Sequence, residues 1–171
     1  VERTYSPKIN CPDPLSIKFF VDKKEKFILE YLKSKSNLVA IQCSAGSVDR
    51  NIPKEVVYNL VSLLLRKKYT PVILGNSSES GILFPEGVID LQDAQTTIGF
   101  SIEVIKRSSY FIGSHSSMNL VAWHNKSKSL ILMPESTYHS HFFDTLKEKT
   151  VCNFGAFEKG NMCHIFSLIL A

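Results

Sequence analysis

Residues 110–123 read YFIGSHSSMNLVAW, and this stretch decides the fold class. Residues 110–114 are apolar or small and are typical of a short buried strand, whereas residues 118–126 have the pattern of a helix. Between them lies a hydroxyl-rich turn that contains His115. A strand that passes through a tight polar turn into a helix is the repeating unit of α/β proteins. The stretch therefore predicts an α/β fold with a polar turn at the end of a strand.

The same unit recurs along the chain. Helical periodicity is found in residues 22–35, 53–68 and 99–109. The apolar runs that alternate with these segments are residues 38–44, 70–76, 88–93 and 129–134. Unbroken apolar runs are typical of strands buried on both faces, and their alternation with helices predicts a Rossmann-like, doubly wound parallel sheet. Beyond Pro134 the pattern weakens: residues 144–149 fit a short helix, and residues 164–171 fit a helix or a strand.

Length and composition indicate one domain. A chain of 171 residues with 44% hydrophobic and 21% charged residues is ordinary for a single globular unit. Residues 1–14 contain Pro7, Pro12 and Pro14, which favour extended chain. We therefore predict a linker over residues 1–14 and one domain over residues 15–171.

Charge, hydropathy and cysteine content limit the binding partners and the cellular compartment that we expect. The net charge of +4 is mild and its basic residues are scattered, so nucleic acid is not an expected partner. No apolar run approaches the roughly 18 residues of a membrane span. The N-terminal residues lack a secretory pattern, and Cys11, Cys43, Cys152 and Cys163 form no C-x-x-C pair. Reduced thiols and a cytoplasmic location are the expectation.

Three polar turns follow predicted strands. They are residues 44–47 (SAGS), residues 75–79 (GNSSE) and residues 114–117 (SHSS). The carboxyl ends of parallel strands meet at one edge of the sheet, where ligands bind. Small residues let backbone N–H groups approach an anion, and a helix that starts at once adds its positive end. Together the turns predict a phosphate site, although each turn alone is better explained as a helix cap.

Other kinds of site fit the sequence less well. There is no G-x-G-x-x-G and no G-x-x-x-x-G-K-[ST]. A nucleophilic Ser116 would need a G-x-S-x-G elbow, but Ser117 stands near the place of the second glycine, and His115 is either a turn donor or a cap. Zinc or iron could be imagined from His139, His141, Cys152, Cys163 and His164. Because these residues lack the close pairs of metal sites, we predict no metal.

With these features in order, residues 5–134 resemble the C-terminal half of the glycosyltransferase family 9 heptosyltransferases. YSPKI (5–9) resembles the linker between the two domains of that family. AIQCSAGSVDRNIPKEVV (40–57) resembles its strand, small-residue turn and K-x-W-P helix start, with Arg50 in place of lysine and Ile52 in place of tryptophan. VIDLQDAQT (88–96) resembles the segment I-D-L-x-G-x-T, with Asp93 in place of glycine.

The opening stretch is the most specific match. It is similar to the segment F-I-G-x-x-S-G-L-S-x-L-A-W of the bacterial autotransporter heptosyltransferase type. The matching residues are Phe111, Ile112, Gly113, Ser116, Ala122 and Trp123. Ser117 replaces the motif glycine, and the D-[ST]-G-x-x-H of the lipopolysaccharide-core enzymes lacks its Asp and His here.

The resemblance implies a bacterial GT-B glycosyltransferase whose C-terminal domain holds a nucleoside diphosphate sugar. Carried over by position, Ser44, Gly46 and Ser47 line the diphosphate turn and Arg50 balances the charge of the leaving group. Ser116, Ser117 and Met118 offer N–H groups to the phosphates, and Asp90, Leu91 and Gln92 lie near the base or ribose. The neighbouring Gly75, Ser114 and His115 belong to the same strand-end turns and complete the expected substrate-binding set.

The resemblance also implies what lies outside this domain. The donor would be a heptose or hexose nucleotide, the acceptor a glycan or protein, and the general base would come from an N-terminal domain. The resemblance implies no cofactor beyond the donor nucleotide sugar. It is also compatible with an oligomer. The autotransporter type carries a cysteine-ligated iron, but Cys152 and Cys163 are not a close pair. The alternative is a degenerate, non-catalytic Rossmann-like interaction module, which the departures at Ile52, Asp93 and Ser117 favour.

Overall fold

The computed structural model describes residues 20–46, 48–75, 82–133 and 150–153. Within them the apolar runs form one six-stranded sheet in which every pair of neighbouring strands is parallel. The strands are β1 (Leu38–Gln42), β2 (Thr70–Leu74), β3 (Ile89–Asp90), β4 (Tyr110–Ser114), β5 (Ser129–Met133) and β6 (Thr150–Asn153). Their order across the sheet is β3-β2-β1-β4-β5-β6.

Four α-helices lie before or between the strands in the described ranges, and their ends follow from local sequence. They are α1 (Lys23–Lys33), α2 (Lys54–Arg66), α3 (Ile98–Arg107) and α4 (Ser117–His124). Helix α1 begins with a reciprocal capping box between Asp22 and Glu25. Pro53 stands at the N-cap of α2, where a missing N–H costs nothing. The hydroxyl of Thr97 caps α3.

The helices cover both faces of the sheet. On one face, Val39 and Ile41 of β1 share a buried cluster with Val57 and Leu60 of α2. On the other face, strand residues such as Ala40 pack with buried residues of the remaining helices, among them Leu32, Phe100, Ile105 and Met118. Because successive strand side chains point to opposite faces, a strand covered on both faces must be apolar throughout. The predicted doubly wound α/β sheet is confirmed.

The strand order contains a reversal between β1 and β4. From β1 the chain first adds β2 and β3 on one side and then returns to add β4, β5 and β6 on the other. This is the order of the Rossmann fold, in which ligands bind at the carboxyl edge beside the reversal. The turn after β1 and the turn of the 110–123 stretch are therefore neighbours at that edge.

The structure departs from the sequence prediction at three places. The strand predicted over residues 88–93 is only β3, because the Asp90 carboxylate accepts the N–H of Gln92 at 3.0 Å and the chain turns into a short 3₁₀ helix, Gln92–Ala94. Helix α4 begins one residue early and ends at His124. Strand β6 was not predicted, since its four residues follow a segment without a hydrophobic period.

Several expectations fall outside the described residues. These are the linker over residues 1–14, the helix over residues 144–149, and the helix or strand over residues 164–171. Within the described ranges, every helix is too short or too polar to cross a membrane.

Candidate functional site

A cavity of about 830 Å³ opens at the carboxyl edge beside the reversal of strand order. Its walls come from the ends of β1 and β2, the segment between β3 and α3, and the start of α4. The lining residues are Gln42, Ser44, Ala45, Gly46, Arg50, Gly75, Gln92, Gln95, Thr96, Thr97, Ile98, Ser101, Ser116, Ser117 and Met118. Arg50 is the only charged residue of this described lining, so the cavity suits an anionic ligand.

Short-range hydrogen bonds hold the turn after β1. The N–H of Ala45 donates to the Asn51 side chain at 2.8 Å, and the N–H of Ile52 donates to the Cys43 carbonyl at 2.9 Å. The buried Ser114 hydroxyl donates to the Ser44 carbonyl at 2.9 Å, which ties the turn to β4. These bonds hold Asn51 and Ile52 against the end of β1.

Arg50 lies between the turns that follow β1 and β4. Its Nη1 donates to the carbonyl oxygen of His115 at 3.3 Å. Its Nη2 lies 4.0 Å from where a Cβ on Gly46 would stand, so the guanidinium borders the glycine turn. A partly buried guanidinium fixed by one N–H retains further donors for an oxyanion.

The start of α4 is the second anion-binding feature. Its N-cap, Ser116, has extended backbone with φ −145°, and its side chain makes no capping hydrogen bond. The Ser116 hydroxyl is buried and has no hydrogen-bond partner among the described residues. Uncapped N–H groups at a helix start carry partial positive charge and bind anions. Ser116, Ser117 and Met118 all line the cavity.

The wall between β3 and α3 is supported from behind by α1. Glu25, with only 2% of its surface exposed, accepts hydrogen bonds from both the N–H and the hydroxyl of Thr97. The Thr97 hydroxyl in turn accepts the N–H of Phe100 at 3.2 Å. Lys24 adds a bond from its Nζ to the Ala94 carbonyl at 3.1 Å. The wall is therefore fixed by contacts some 70 residues distant in sequence.

Two glycines allow close approach in this region. Gly75 has φ +110°, a conformation that glycine adopts readily, and a Cβ there would lie 3.0 Å from the Ser44 hydroxyl. Gly113 lies beneath the Phe111 ring, where a Cβ would come within 2.6 Å of the ring. The first glycine shapes the cavity wall and the second lets β4 pack tightly.

Two ionisable groups beside the cavity, His115 and Cys43, have pKa values shifted toward their uncharged forms. Burial, and then the positive charge of Arg50, lower the pKa of His115 below its ordinary value. Burial, and then the Asp90 carboxylate, raise the pKa of Cys43 to about 12. Cys43 is a buried free thiol and does not ionise near neutral pH. The high pKa of Cys43, and the lack of a hydrogen-bond partner for the Ser116 hydroxyl among the described residues, argue against either group as an activated nucleophile.

Eight of the residues predicted from sequence meet in this cavity. They are Ser44, Gly46, Arg50, Gly75, Gln92, Ser116, Ser117 and Met118. Four others lie behind its walls: Asp90 caps the Gln92 turn, Leu91 is buried in the core, Ser114 bonds the Ser44 carbonyl, and His115 accepts from Arg50. Ser47 lies outside the described residues.

Sequence reasoning missed one wall of the cavity. Gln42, Ala45 and the run from Gln95 to Ile98, with Ser101, also line it. The paired threonines Thr96 and Thr97 before a helical pattern are a helix-start signal that could have identified this segment. The position of this segment at the cavity depends on the left-handed backbone of Gln95 (φ +49°), which the sequence does not predict.

No metal-binding cluster occurs in the described part of the chain. No three His, Cys, Asp or Glu side chains come together there. His139, His141, Cys163 and His164 lie outside the described ranges, and only the backbone of Cys152 is described, in β6.

No protein-family model matches the sequence, and no curated protein matches it. The structure is similar to a glycosyltransferase family 9 protein from Veillonella parvula, with a TM-score of 0.60 at 13% identity over 86% of this chain and 46% of that one. It is also similar to E. coli heptosyltransferase WaaC with ADP, with a TM-score of 0.59 at 10% identity over 84% of this chain and 49% of that one.

E. coli ADP-heptose LPS heptosyltransferase II is a third structural relative. It gives a TM-score of 0.56 at 16% identity over 70% of this chain and 40% of that protein. The chain thus spans less than half the length of each of these relatives. At such low identity the likeness concerns the fold. The chain has a heptosyltransferase-like α/β fold that corresponds to part of these enzymes.

Proposed function

We propose that the chain is the nucleotide-sugar-binding domain of a glycosyltransferase, the C-terminal half of a GT-B enzyme of the family 9 type. The observation that carries the proposal is one cavity that holds both Arg50 and the uncapped start of α4, with no acidic residue in its described lining. A diphosphate needs such a combination of a fixed cation and free N–H groups.

The diphosphate fits the end of the cavity between the turns after β1 and β4. There the N–H groups of Ser117 and Met118 and the hydroxyl of Ser116 would face the phosphate oxygens, and Arg50 would contact them from the opposite side. Sugar transfer breaks the bond between the anomeric carbon and the terminal phosphate oxygen, which leaves negative charge on the diphosphate. Donors fixed in place before the reaction stabilise that charge without reorganisation.

The nucleoside and sugar would occupy the rest of the cavity. The wall formed by Gln92, Gln95, Thr96 and Ser101 is polar and uncharged, as hydroxyl groups and a base edge require. Two solved relatives are described with ADP or as ADP-heptose enzymes, so ADP is the first nucleotide to test. A heptose or hexose donor, a glycan or protein acceptor, and a general base from an N-terminal domain complete the proposal.

Two finer assignments belong to the proposal as well. The autotransporter heptosyltransferase subtype rests on the residues that residues 111–123 share with its motif. A cytoplasmic location is proposed because the cysteines form no C-x-x-C pair and Cys43 is a free thiol, as expected in a reducing compartment.

The structure accommodates two of the residues that suggested a degenerate module. Ile52 is 4% exposed and belongs to the core cluster beneath α2, so it has a packing role of its own. Ser117 is the first residue of α4 and has a helical backbone that does not require glycine. That both residues fit the backbone without strain supports the binding domain of an enzyme over the degenerate module.

Calorimetric titration of the chain with ADP tests this proposal. Arg50→Ala removes a charged hydrogen bond worth about 1.5–3 kcal/mol, so we expect ADP affinity to fall roughly tenfold to a hundredfold. Arg66→Ala, at the exposed end of α2, is the matched control and should leave affinity unchanged. Equal affinity of wild type and Arg50→Ala, or no affinity for ADP, GDP or UDP, would refute the site.

A further inference from the structure

The edge of the sheet opposite the cavity is unusually basic. We call it the amino edge and define it by four connections, residues 34–37, 67–69, 108–109 and 125–128, with the helix turns that lead into them. Hydrogen bonds join these connections to the first residues of neighbouring strands. The N–H of Thr70 donates to the Asn37 carbonyl at 3.0 Å, Ser109 to Leu38 at 2.8 Å, and Phe111 to Lys128 at 2.9 Å. The amino edge is therefore one continuous surface across β2, β1, β4 and β5.

Six exposed cations on this edge have no acidic partner among the described residues. They are Lys35, Arg66, Lys67, Lys68, Lys126 and Lys128. Glu30 and Glu103, the acidic residues of the adjoining helix turns, already pair with Lys33, and with Lys106 and Arg107. One more carboxylate, Glu86, is exposed before β3 at the end of the edge. The chain as a whole has a net charge of only +4, so positive charge is concentrated here.

Two of these lysines stand where a helix end favours glycine. Lys68 follows α2 with φ +62°, and Lys126 follows α4 with φ +54°. Left-handed backbone at this position is usually taken by glycine or asparagine, because a side chain there is strained. A basic residue near a helix C-terminus is favourable for the helix dipole, but the dipole alone does not require lysine at a strained position. Lysine thus stands at these two positions against the local backbone preference.

Aromatic rings lie within the same edge. Tyr69 and Tyr110 pack edge to face with ring centres 5.9 Å apart, and Lys128 Nζ lies 5.6 Å from the Tyr110 ring. Tyrosines beside lysines are common where proteins meet lipid headgroups.

We propose that the amino edge docks on an anionic phospholipid surface. Its charges are almost all lysines, which act as point charges and are depleted in protein–protein interfaces, whereas arginine dominates bidentate recognition. They are spread over four connections rather than gathered in a pocket, and a fluid layer of headgroups can adjust to that spacing. The candidate nucleotide cavity lies at the opposite edge of the sheet and stays open when the amino edge is covered. The proposal does not depend on the proposed function.

Sedimentation of the full chain with vesicles tests the proposal. We expect binding to vesicles of phosphatidylcholine mixed with phosphatidylglycerol, no binding to phosphatidylcholine alone, and loss of binding as salt rises. Lys68→Asn with Lys126→Asn removes two charges and suits the left-handed backbone, so folding is preserved. Affinity should fall about fivefold for each lysine, roughly twenty-five-fold together. Lys23→Gln with Lys26→Gln, exposed on the first turn of α1, is the charge-matched control and should bind like wild type.

Three results would overturn the proposal. One is no binding to the anionic vesicles at low salt. Another is an equal loss of binding in the amino-edge variant and the control, since net charge rather than this surface would then be responsible. The third is tighter binding of the chain to poly-L-glutamate than to the vesicles with the same amino-edge dependence, which would assign the surface to an acidic polypeptide.

Discussion

At the scale of single residues, Arg50 sets the chemistry of its surroundings. Its guanidinium donates to the His115 carbonyl and its charge contributes to lowering the pKa of the His115 imidazole. The sequence alone predicted a cation at this turn, since a basic residue follows the small-residue turn after β1. The contact of Arg50 with His115, 65 residues away, could not be predicted, because it depends on β1 and β4 being neighbours.

His115 should make folding stability depend on pH. Its pKa in the folded chain lies below the ordinary value of 6.5, so between these two values the unfolded chain binds more protons. The free energy of unfolding therefore falls as pH is lowered through this window. Urea denaturation from about pH 7.5 down to about pH 5 should show the loss, and His115→Gln should lessen it.

The same histidine reports on the ligand. A bound diphosphate favours the protonated imidazole, so ADP should raise the pKa of His115 in an NMR titration. The resonances of His124, at the far end of α4, are the internal control and should not respond. A His115 pKa that ADP leaves unchanged would place the phosphates elsewhere.

At the scale of elements, α3 and α4 start beside the same cavity in different ways. Thr97 caps α3 with its own hydroxyl, and that hydroxyl is oriented by Glu25. Ser116 occupies the equivalent position of α4 and caps nothing. Both starts carry the hydroxyl residues typical of caps, so the sequence predicted two helix starts without distinguishing them. Glu25 makes the difference, and its contact with Thr97 spans 72 positions.

Alanine at these two positions should therefore have different effects on stability. Thr97→Ala should lower the free energy of unfolding by about 1 kcal/mol, and Thr97→Ser should restore it. Ser116→Ala should change stability by less than about 0.5 kcal/mol, because it removes a hydroxyl that has no partner. It should still weaken ADP binding roughly threefold to tenfold. Urea denaturation and calorimetry measure both quantities, and a Ser116→Ala stability loss as large as that of Thr97→Ala would contradict the assignment.

At the scale of the whole molecule, the sheet has two distinct edges. The carboxyl edge bears the cavity, and the amino edge bears the six cations that have no acidic partner in the described part of the chain. The fold could be predicted because β1, β2, β4 and β5 are apolar runs between amphipathic helices. Strand β6 could not be predicted, since four residues without a period carry too little signal. The concentration of positive charge could not be predicted either, because it arises when separate helix ends meet at one edge.

A crystal structure of the chain with ADP tests the central claim most directly. We predict the diphosphate at the reversal between β1 and β4, within hydrogen-bonding distance of the backbone N–H groups of Ser117 or Met118 and of the Arg50 guanidinium. ADP bound away from the start of α4, or a carboxyl edge that stays empty in crystals grown with saturating ADP, would contradict it.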